Sequence, residues 1–270
     1  MERCAVSDVL YSFGGRLSVE YSIDVRGVEA IQIRDVIGPR TRSSRSTPDT
    51  PKLDFNSILD LQRVQWTENQ GEEEKQGVFM KNAYHRQATP LDINQGLSLA
   101  IQNSRDLINN LEIPNTRLSE ASIAFMLIDQ AFKTSREATD GFWLLQNGSY
   151  IGLHPDFKFE GQGDEAKEKC HFDFVTQLID TIGKPFGTLE IDEMDCVMLK
   201  VLVLASDPSD LRDQCLKTLL SKSGPERFGE IILLISSIRC AVKAFYNVTR
   251  ESDLFNYQLF DQVVRDVLVE

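Results

Sequence analysis

Apolar residues recur at helical spacing over most of the chain after Asp92. In the first such stretch, residues three and four positions apart form one apolar face, made of Leu97, Ala100, Ile101, Ser104, Leu107, Ile108 and Leu111. This spacing predicts an amphipathic helix of about four turns. The next stretch follows Ser119, a candidate N-cap, and runs from Ala121 to Ile128 with no polar face. We therefore expect a helix that is buried on all sides, which implies a layered bundle.

Three further helices follow the same rule. One has an apolar face that ends before Gly183 and Pro185, namely Phe172, Val175, Leu178, Ile179 and Ile182. Another begins at Asp192 as its N-cap, and Asp207-Pro208 would supply the cap and first residue of its successor. The last long helix starts near Pro225 and has a seam close to a heptad repeat, made of Phe228, Ile231, Ile235, Ile238, Val242 and Phe245.

One hairpin signal interrupts the helices. Asn147-Gly148 lies between two short apolar runs, and this pair favours the left-handed angles of a type I′ turn. With about seven helices and a single hairpin, the pattern describes a mostly α, three-layer fold.

Composition and charge narrow the class of function. The net charge is −12: residues 1–47 carry +1 and the rest of the chain carries −13, so the helical part has no general attraction for nucleic acid. The five cysteines are scattered without paired spacing, which favours a reducing compartment over a disulfide framework or a zinc site. No phosphate-binding loop, nucleophile elbow or metal-binding His motif is found, so we expect no enzyme, cofactor or metal. We also expect no membrane span, because no apolar run reaches about eighteen residues.

The chain divides at a polar stretch. Residues 39–52 are rich in Pro, Ser, Thr and Arg, which is typical of an exposed linker between a segment 1–38 and a helical domain 53–270.

The last helical stretch carries an acid between apolar pairs: Val263-Val264, then Asp266, then Val267-Leu268. On a helix this spacing places the apolar pairs on one face and the carboxylate at its edge. Such a helix can close over an apolar cavity while its acid binds the N-terminus of a docking peptide helix. An ordinary terminal amphipathic helix fits the same six residues.

Several stretches along the chain resemble one protein family. Arg227 to Arg239 looks like the dimerisation helix of nuclear hormone receptors, and Leu189 to Leu204 is similar to another helix of their ligand-binding domain. Ala124 to Thr134, followed by Gly141 to Gly148, resembles the central helix and hairpin of a nematode branch related to hepatocyte nuclear factor 4. The likeness covers roughly residues 50–270 and implies a three-layer antiparallel helical sandwich.

The resemblance also implies site residues. An apolar pocket for a lipophilic molecule such as a fatty acid would be lined by Leu97, Ile101, Phe125 and Met126, with Lys133 near a ligand carboxylate. Co-regulator peptides would dock on the helix with Val263, Val264, Asp266, Val267 and Leu268, but Asn110 replaces the usual second clamp residue, a lysine. Dimerisation would use Phe228, Ile231, Ile235, Ile238 and Arg239.

The N-terminal segment resembles only the tail of a zinc-finger module. Two fingers need eight cysteines, and only Cys4 precedes residue 30, so we expect a truncated or degenerate module that binds DNA weakly or through a partner. Two functions remain open: a nuclear regulator that binds a lipophilic ligand and co-regulators, or a ligand-free partner that dimerises with full-length receptors.

Overall fold

The computed structural model describes residues 54–69, 86–113, 118–138, 141–153, 165–205 and 209–269. All of them belong to one unit, Thr50–Glu270. The predicted segment 1–38 and linker 39–52 lie outside the described residues, and so stay predictions.

Helices dominate these ranges. In chain order the helices are α1 (Phe55–Asn69), α2 (Pro90–Leu111), α3 (Leu118–Glu137), α4 (Glu165–Leu178), α5 (Lys184–Thr188), α6 (Glu193–Leu204), α7 (Asp210–Ser223), α8 (Pro225–Tyr246) and α9 (Gln262–Val269). Single π-helical turns follow α4 (Ile179–Gly183) and α8 (Asn247–Glu251), and a 3₁₀ turn (Tyr257–Leu259) precedes α9. Strands β1 (Phe142–Leu144) and β2 (Tyr150–Gly152) form one antiparallel pair.

Helix α3 lies at the centre of the molecule. Every residue from Ala121 to Ala131 is buried, because α2, α6, α8 and β1 all pack against this helix. The predicted enclosed helix and three-layer sandwich are thereby confirmed. The predicted N-cap is wrong, since Ser119 is the second residue of the helix and is itself buried.

Local hydrogen bonds set two helix starts. Asp192 accepts from the Asp195 amide (2.9 Å) and Asp195 accepts from the Asp192 amide (3.2 Å), a capping box that confirms the predicted start of α6. The predicted start of α7 is wrong. Ser209 is its N-cap, with its hydroxyl oxygen accepting from the Arg212 amide, and the helix begins two residues after Pro208.

The hairpin is confirmed, but its turn differs from the prediction. Five residues, 145–149, connect the strands, and the Leu145 amide donates to the Ser149 carbonyl (2.9 Å). In this loop only Gly148 has a positive φ (82°), whereas a type I′ turn requires two such residues. Asn147 instead accepts from the Ser149 amide through its side-chain oxygen, a local turn that asparagine favours.

Helix α4 has a different buried face from the predicted one. Phe172 is 51% exposed, and His171, Phe174, Val175 and Leu178 face the core. The prediction of the buried face failed because both phenylalanines fit a helical repeat. Phe172 is three positions before Val175, and Phe174 is four positions before Leu178.

Helix α8 corrects the expectation about apolar length. With its π turn it forms a stretch, Pro225–Glu251, that is long and apolar enough to cross a membrane by length and composition alone, with a mean hydropathy of 1.6. Core helices of soluble proteins pass the same test. Here Ile231, Ile238 and Phe245 are buried in the main core, while only 39% of the apolar window is buried within the chain.

Candidate functional site

The terminal helix α9 packs against α2 and α3. Val264, Val267 and Leu268 are buried by this packing. Val263 is 52% exposed and Asp266 is exposed, one helical turn apart on the outer face. This corrects the prediction that both apolar pairs share one face, because Val263 lies on the side of the carboxylate. The outer face therefore combines an apolar side chain with an acid.

A reciprocal pair of hydrogen bonds holds the start of α9. The Asn94 amide nitrogen donates to Asp261 Oδ2 (2.8 Å), and the Asp261 backbone amide donates to Asn94 Oδ1 (2.9 Å). Asn94 belongs to α2 and is only 7% exposed. The Tyr257 hydroxyl also donates to the Arg265 carbonyl (3.1 Å). Our sequence analysis missed Asn94 and Asp261, because 167 positions separate them and no local pattern joins them.

Asn110, which the family resemblance implies as the second clamp position, lies at the end of α2. Asn110 is exposed there, and the last turn of α2 contains no basic residue. Glu112 follows in the left-handed conformation (φ 50°) and ends the helix. The side chain at this position is therefore an uncharged amide and not a cation.

The predicted apolar pocket residues lie in two hydrophobic clusters. Leu97, Ile101 and Met126 lie in the main core, whereas Phe125 lies in a smaller cluster with Leu107, Ala121 and Leu204. None of the four is more than 2% exposed. All four side chains are therefore buried, and their role in a ligand pocket stays a prediction.

A buried amide network lies beside the hairpin. Gln130 is 2% exposed; its side-chain oxygen accepts from Trp143 Nε1 (2.7 Å) and its nitrogen donates to Gln146 Oε1 (2.9 Å). Gln146 in turn donates to the Met126 carbonyl (3.3 Å). Sequence analysis missed this network, although a glutamine within an otherwise apolar run was its signal.

Lys133 contacts the outside of the same network. Its ammonium donates to the Gln146 carbonyl (3.3 Å) and lies 4.0 Å from Glu137. The structure brings Lys133 to the hairpin and to a neighbouring acid, and not to Leu97 or Ile101.

Helix α3 also carries one partner of a buried ion pair. Lys200 Nζ lies 2.6 Å from Asp129 Oδ1, and both side chains are 5% exposed or less. The ammonium also lies 5.3 Å from the centre of the Phe125 ring and 5.8 Å from that of Trp66, which fits a cation–π contact. These groups join α1, α3 and α6.

The buried thiols near this pair are poor nucleophiles. Burial is the main reason why the pKa of Cys196 is well above the usual range, and burial also raises the pKa of Cys215 to about 12. Because the thiolate is the reactive form, neither sulfur is set up for covalent catalysis.

A second charged cluster joins α6 to α7 and α8. Asp195 is fully buried; it accepts from Lys222 Nζ (2.6 Å) and from Arg227 Nη2 (2.5 Å). Lys222 also bonds both oxygens of Asp192 at 2.7 Å. Burial raises the pKa of Asp192, but the Lys222 hydrogen bond and the other nearby donors outweigh it, so the net shift is downward.

The predicted dimer seam on α8 is divided between core and surface. Ile231 and Ile238 are fully buried in the chain's own core, so their assignment to a partner surface is corrected. Phe228 and Ile235 are half-buried and Arg239 is exposed. A heptad-like spacing also describes the face that a long helix turns to its own core, which is why the pattern misled.

Large apolar side chains lie exposed on the outer side of α7 and α8. Leu233 of α8 is 69% exposed and Leu220 of α7 is 43% exposed. Sequence analysis singled out neither residue, because Leu233 lies off the heptad seam of α8 and no apolar face was assigned to α7.

Comparison with protein families agrees with this architecture. Residues 118–255, which run from the start of α3 to the segment before α9, match the model of the ligand-binding domain of nuclear hormone receptors. That match spans about half of the chain. The matched family consists of transcription regulators that are not enzymes. Members of this family generally dimerise and bind co-regulators. The enclosed α3, the hairpin and the long α8 all lie within the matched residues. The chain is therefore a member of the nuclear hormone receptor ligand-binding domain family.

Proposed function

We propose that this regulator recruits co-regulators by docking an amphipathic peptide helix on the outer face of α9. The observation that carries the proposal is the arrangement of Val263 and Asp266, exposed together while Val264 is buried in the core. Val263 offers apolar contact, and Asp266 offers a carboxylate to the unpaired N–H groups at the N-terminus of the docking helix. Gln262 steadies this carboxylate with a hydrogen bond to Oδ1 (2.5 Å).

Asn110 limits the affinity of such a complex. A cation at that position would interact with the negative end of the docked helix, whereas an amide can only donate hydrogen bonds to its last carbonyls. We expect weak, reversible binding, with a Kd of micromolar order, in which Asp266 and Val263 dominate.

The test is a titration with an amphipathic helical peptide that carries leucines at positions i, i+3 and i+4. We expect Val263→Arg to weaken binding about tenfold and Asp266→Ala a few-fold, with nearly unchanged Tm because both side chains are exposed. Val64→Arg is the matched control, because Val64 is similarly exposed (55%) but belongs to α1. Equal affinity of Val263→Arg and Val64→Arg would exclude this face.

Dimerisation is a second proposed function, supported by the exposed apolar side chains of α7 and α8. Leu233 of α8 and Leu220 of α7 are both exposed. Arg239, also on α8, is exposed as well. We expect Leu233→Glu to shift sedimentation toward the monomer, because a carboxylate in an apolar interface loses its hydration. Leu259→Glu is the control, since Leu259 is exposed (50%) near α9.

We further propose that the chain acts in the nucleus without reading DNA by itself. Only Cys4 precedes Cys170 in the sequence, so these 270 residues lack the ligands of two zinc fingers. A gel shift with this chain alone should show weak binding that disappears with added salt.

A further inference from the structure

The connection between α8 and α9 turns into the molecule. Connecting segments normally run over the surface, because their backbone polar groups need water. Here Leu254 is 2% exposed and Phe255 is fully buried. The Leu254 amide finds a protein partner, the Val248 carbonyl, at 2.8 Å.

Phe255 lies between two other phenylalanine rings. Its ring stacks on Phe245 of α8, with centroids 5.5 Å apart and an angle of 25° between the planes. It meets Phe174 of α4 edge-on, at 5.9 Å and 71°. These are the geometries that aromatic rings prefer. Phe174 of α4 and Phe245 of α8 thus form an apolar seat for one ring. The connection supplies that ring, Phe255.

The backbone on both sides of this ring adopts an unfavourable conformation. Asp253 (φ 47°) and Asn256 (φ 52°) are both left-handed, and they flank Leu254-Phe255 directly. Residues other than glycine rarely adopt such angles, but Asp and Asn do so more readily than most, which suits these two positions to tight turns. Asp253 Oδ1 accepts from the Tyr257 amide (2.7 Å), which closes the second turn. These two turns direct Leu254 and Phe255 into the core, where their side chains are buried.

The seated ring is connected to α9 over a short distance. Tyr257, two residues later, bonds the Arg265 carbonyl, and Asp261, six residues later, is held by Asn94. Phe260 between them is 2% exposed. A chain that short cannot release Phe255 from its seat without pulling on the hydrogen bonds that hold α9.

We propose that Leu254-Phe255 is an internal occupant that takes the place of a small apolar ligand and holds α9 closed. The seat between Phe174 and Phe245 becomes a binding site for a single-ring apolar molecule once the Phe255 ring is removed. The consequence for co-regulator binding rests on the proposed function of α9, but the closed position of the helix does not. Ligand-free protein is therefore in the docking-competent state.

The experiment is hydrogen exchange of the amides of α9 in Phe255→Ala. We expect exchange at Gln262–Val269 to become at least tenfold faster than in the unaltered chain, while amides of the enclosed α3 keep their protection. Saturating benzene, which enters dry cavities of this kind, should return α9 exchange to within about twofold of its original rate.

Phe186→Ala is the matched control, because Phe186 is an equally buried phenylalanine of α5. We expect it to lower Tm without selective acceleration in α9, and benzene should not change α9 exchange. The proposal is wrong if Phe255→Ala leaves α9 protected, or if Phe186→Ala accelerates α9 to the same extent.

Phe255→Leu keeps the test decisive if the alanine variant does not fold. It removes less volume, and we expect a smaller but selective acceleration in α9, with none in α3. Uniform acceleration in both helices would overturn the proposal. Peptide titration of the same variants separates the two claims: selective exchange in α9 without any peptide binding to the unaltered chain would leave the internal occupant intact and exclude the proposed docking function.

Discussion

Two regions of this domain are held together by different physics. Between α1, α3 and α6 the central contact is the buried pair Asp129–Lys200. Between α4, α8 and the connection that leads to α9 it is the stack of Phe174, Phe245 and Phe255. A buried charge is stable only with its partner in place, so the first region tolerates one arrangement. Apolar contact is not directional, so the second region can exchange one occupant for another. A fixed scaffold and a movable terminal helix follow from this difference.

The largest expected effect comes from breaking the buried ion pair. Asp129→Ala should lower the free energy of unfolding by about 3–5 kcal/mol, because it leaves the Lys200 ammonium buried without a counter-charge. Urea denaturation measures this loss. The double variant Asp129→Leu/Lys200→Met should recover most of the stability, since apolar side chains of similar volume replace both charges.

Asp60→Ala is the control for this prediction. Asp60 lies 3.6 Å from Arg63 on the surface and its side chain is 75% exposed, so its loss should cost well under about 1 kcal/mol. If Asp129→Ala is no more destabilising than Asp60→Ala, the two regions do not differ in the way described.

A second prediction extends the contrast to pH. Asp92 is 5% exposed, and burial, the largest influence, raises its pKa. Hydrogen bonds from Arg86, Thr89 and Asn147 together outweigh that influence and lower the pKa to about 2. The unfolded chain, with a carboxyl pKa near 3.8, binds the proton first as the pH falls. The stabilising contribution is therefore complete above about pH 4 and is lost as the pH falls through about 2.

At neutral pH we expect Asp92→Asn to be less stable than the unaltered chain by about 2 kcal/mol, from the size of that shift. The difference should shrink between pH 4 and pH 2 in urea titrations. A difference that is constant over this range would exclude Asp92 as the source.

The smallest expected effect on stability concerns the contact between Asn94 and Asp261. Asn94→Ala removes both hydrogen bonds to the start of α9 and should cost about 1 kcal/mol or somewhat more. The location of this contact predicts where the loss of stability appears. Amides of α9 should exchange faster, with little change in α3. Equal acceleration in both helices would mean that α9 is not separately movable.

Local features of the fold could be predicted from the sequence. The enclosed α3, the Asp192 cap and the hairpin depend on residues within a few positions of each other, and all three are confirmed. Choices between faces of one helix were harder. Phe172 and Phe174 fit the repeat of α4 equally well, and the spacing of Ile231 and Ile238 suits a partner surface and a core equally well.

Features that depend on distant contacts could not be predicted. Asn94 meets Asp261 only after the chain has folded, and Phe255 lies in a connection with no periodicity at all. The outward position of Val263 also depends on how α9 meets α2 and α3. The sequence therefore predicted the terminal helix itself, while the contacts that hold this helix were missed.

The central claim is that the chain closes α9 by its own contacts and docks co-regulators without a ligand. The most direct test is the affinity of the amphipathic helical peptide for protein that has been stripped of bound small molecules, with native mass spectrometry confirming the empty state. We predict the same Kd before and after stripping. Loss of binding on stripping, with recovery when a fatty acid is added back, would contradict the claim and show that a lipophilic ligand closes the helix.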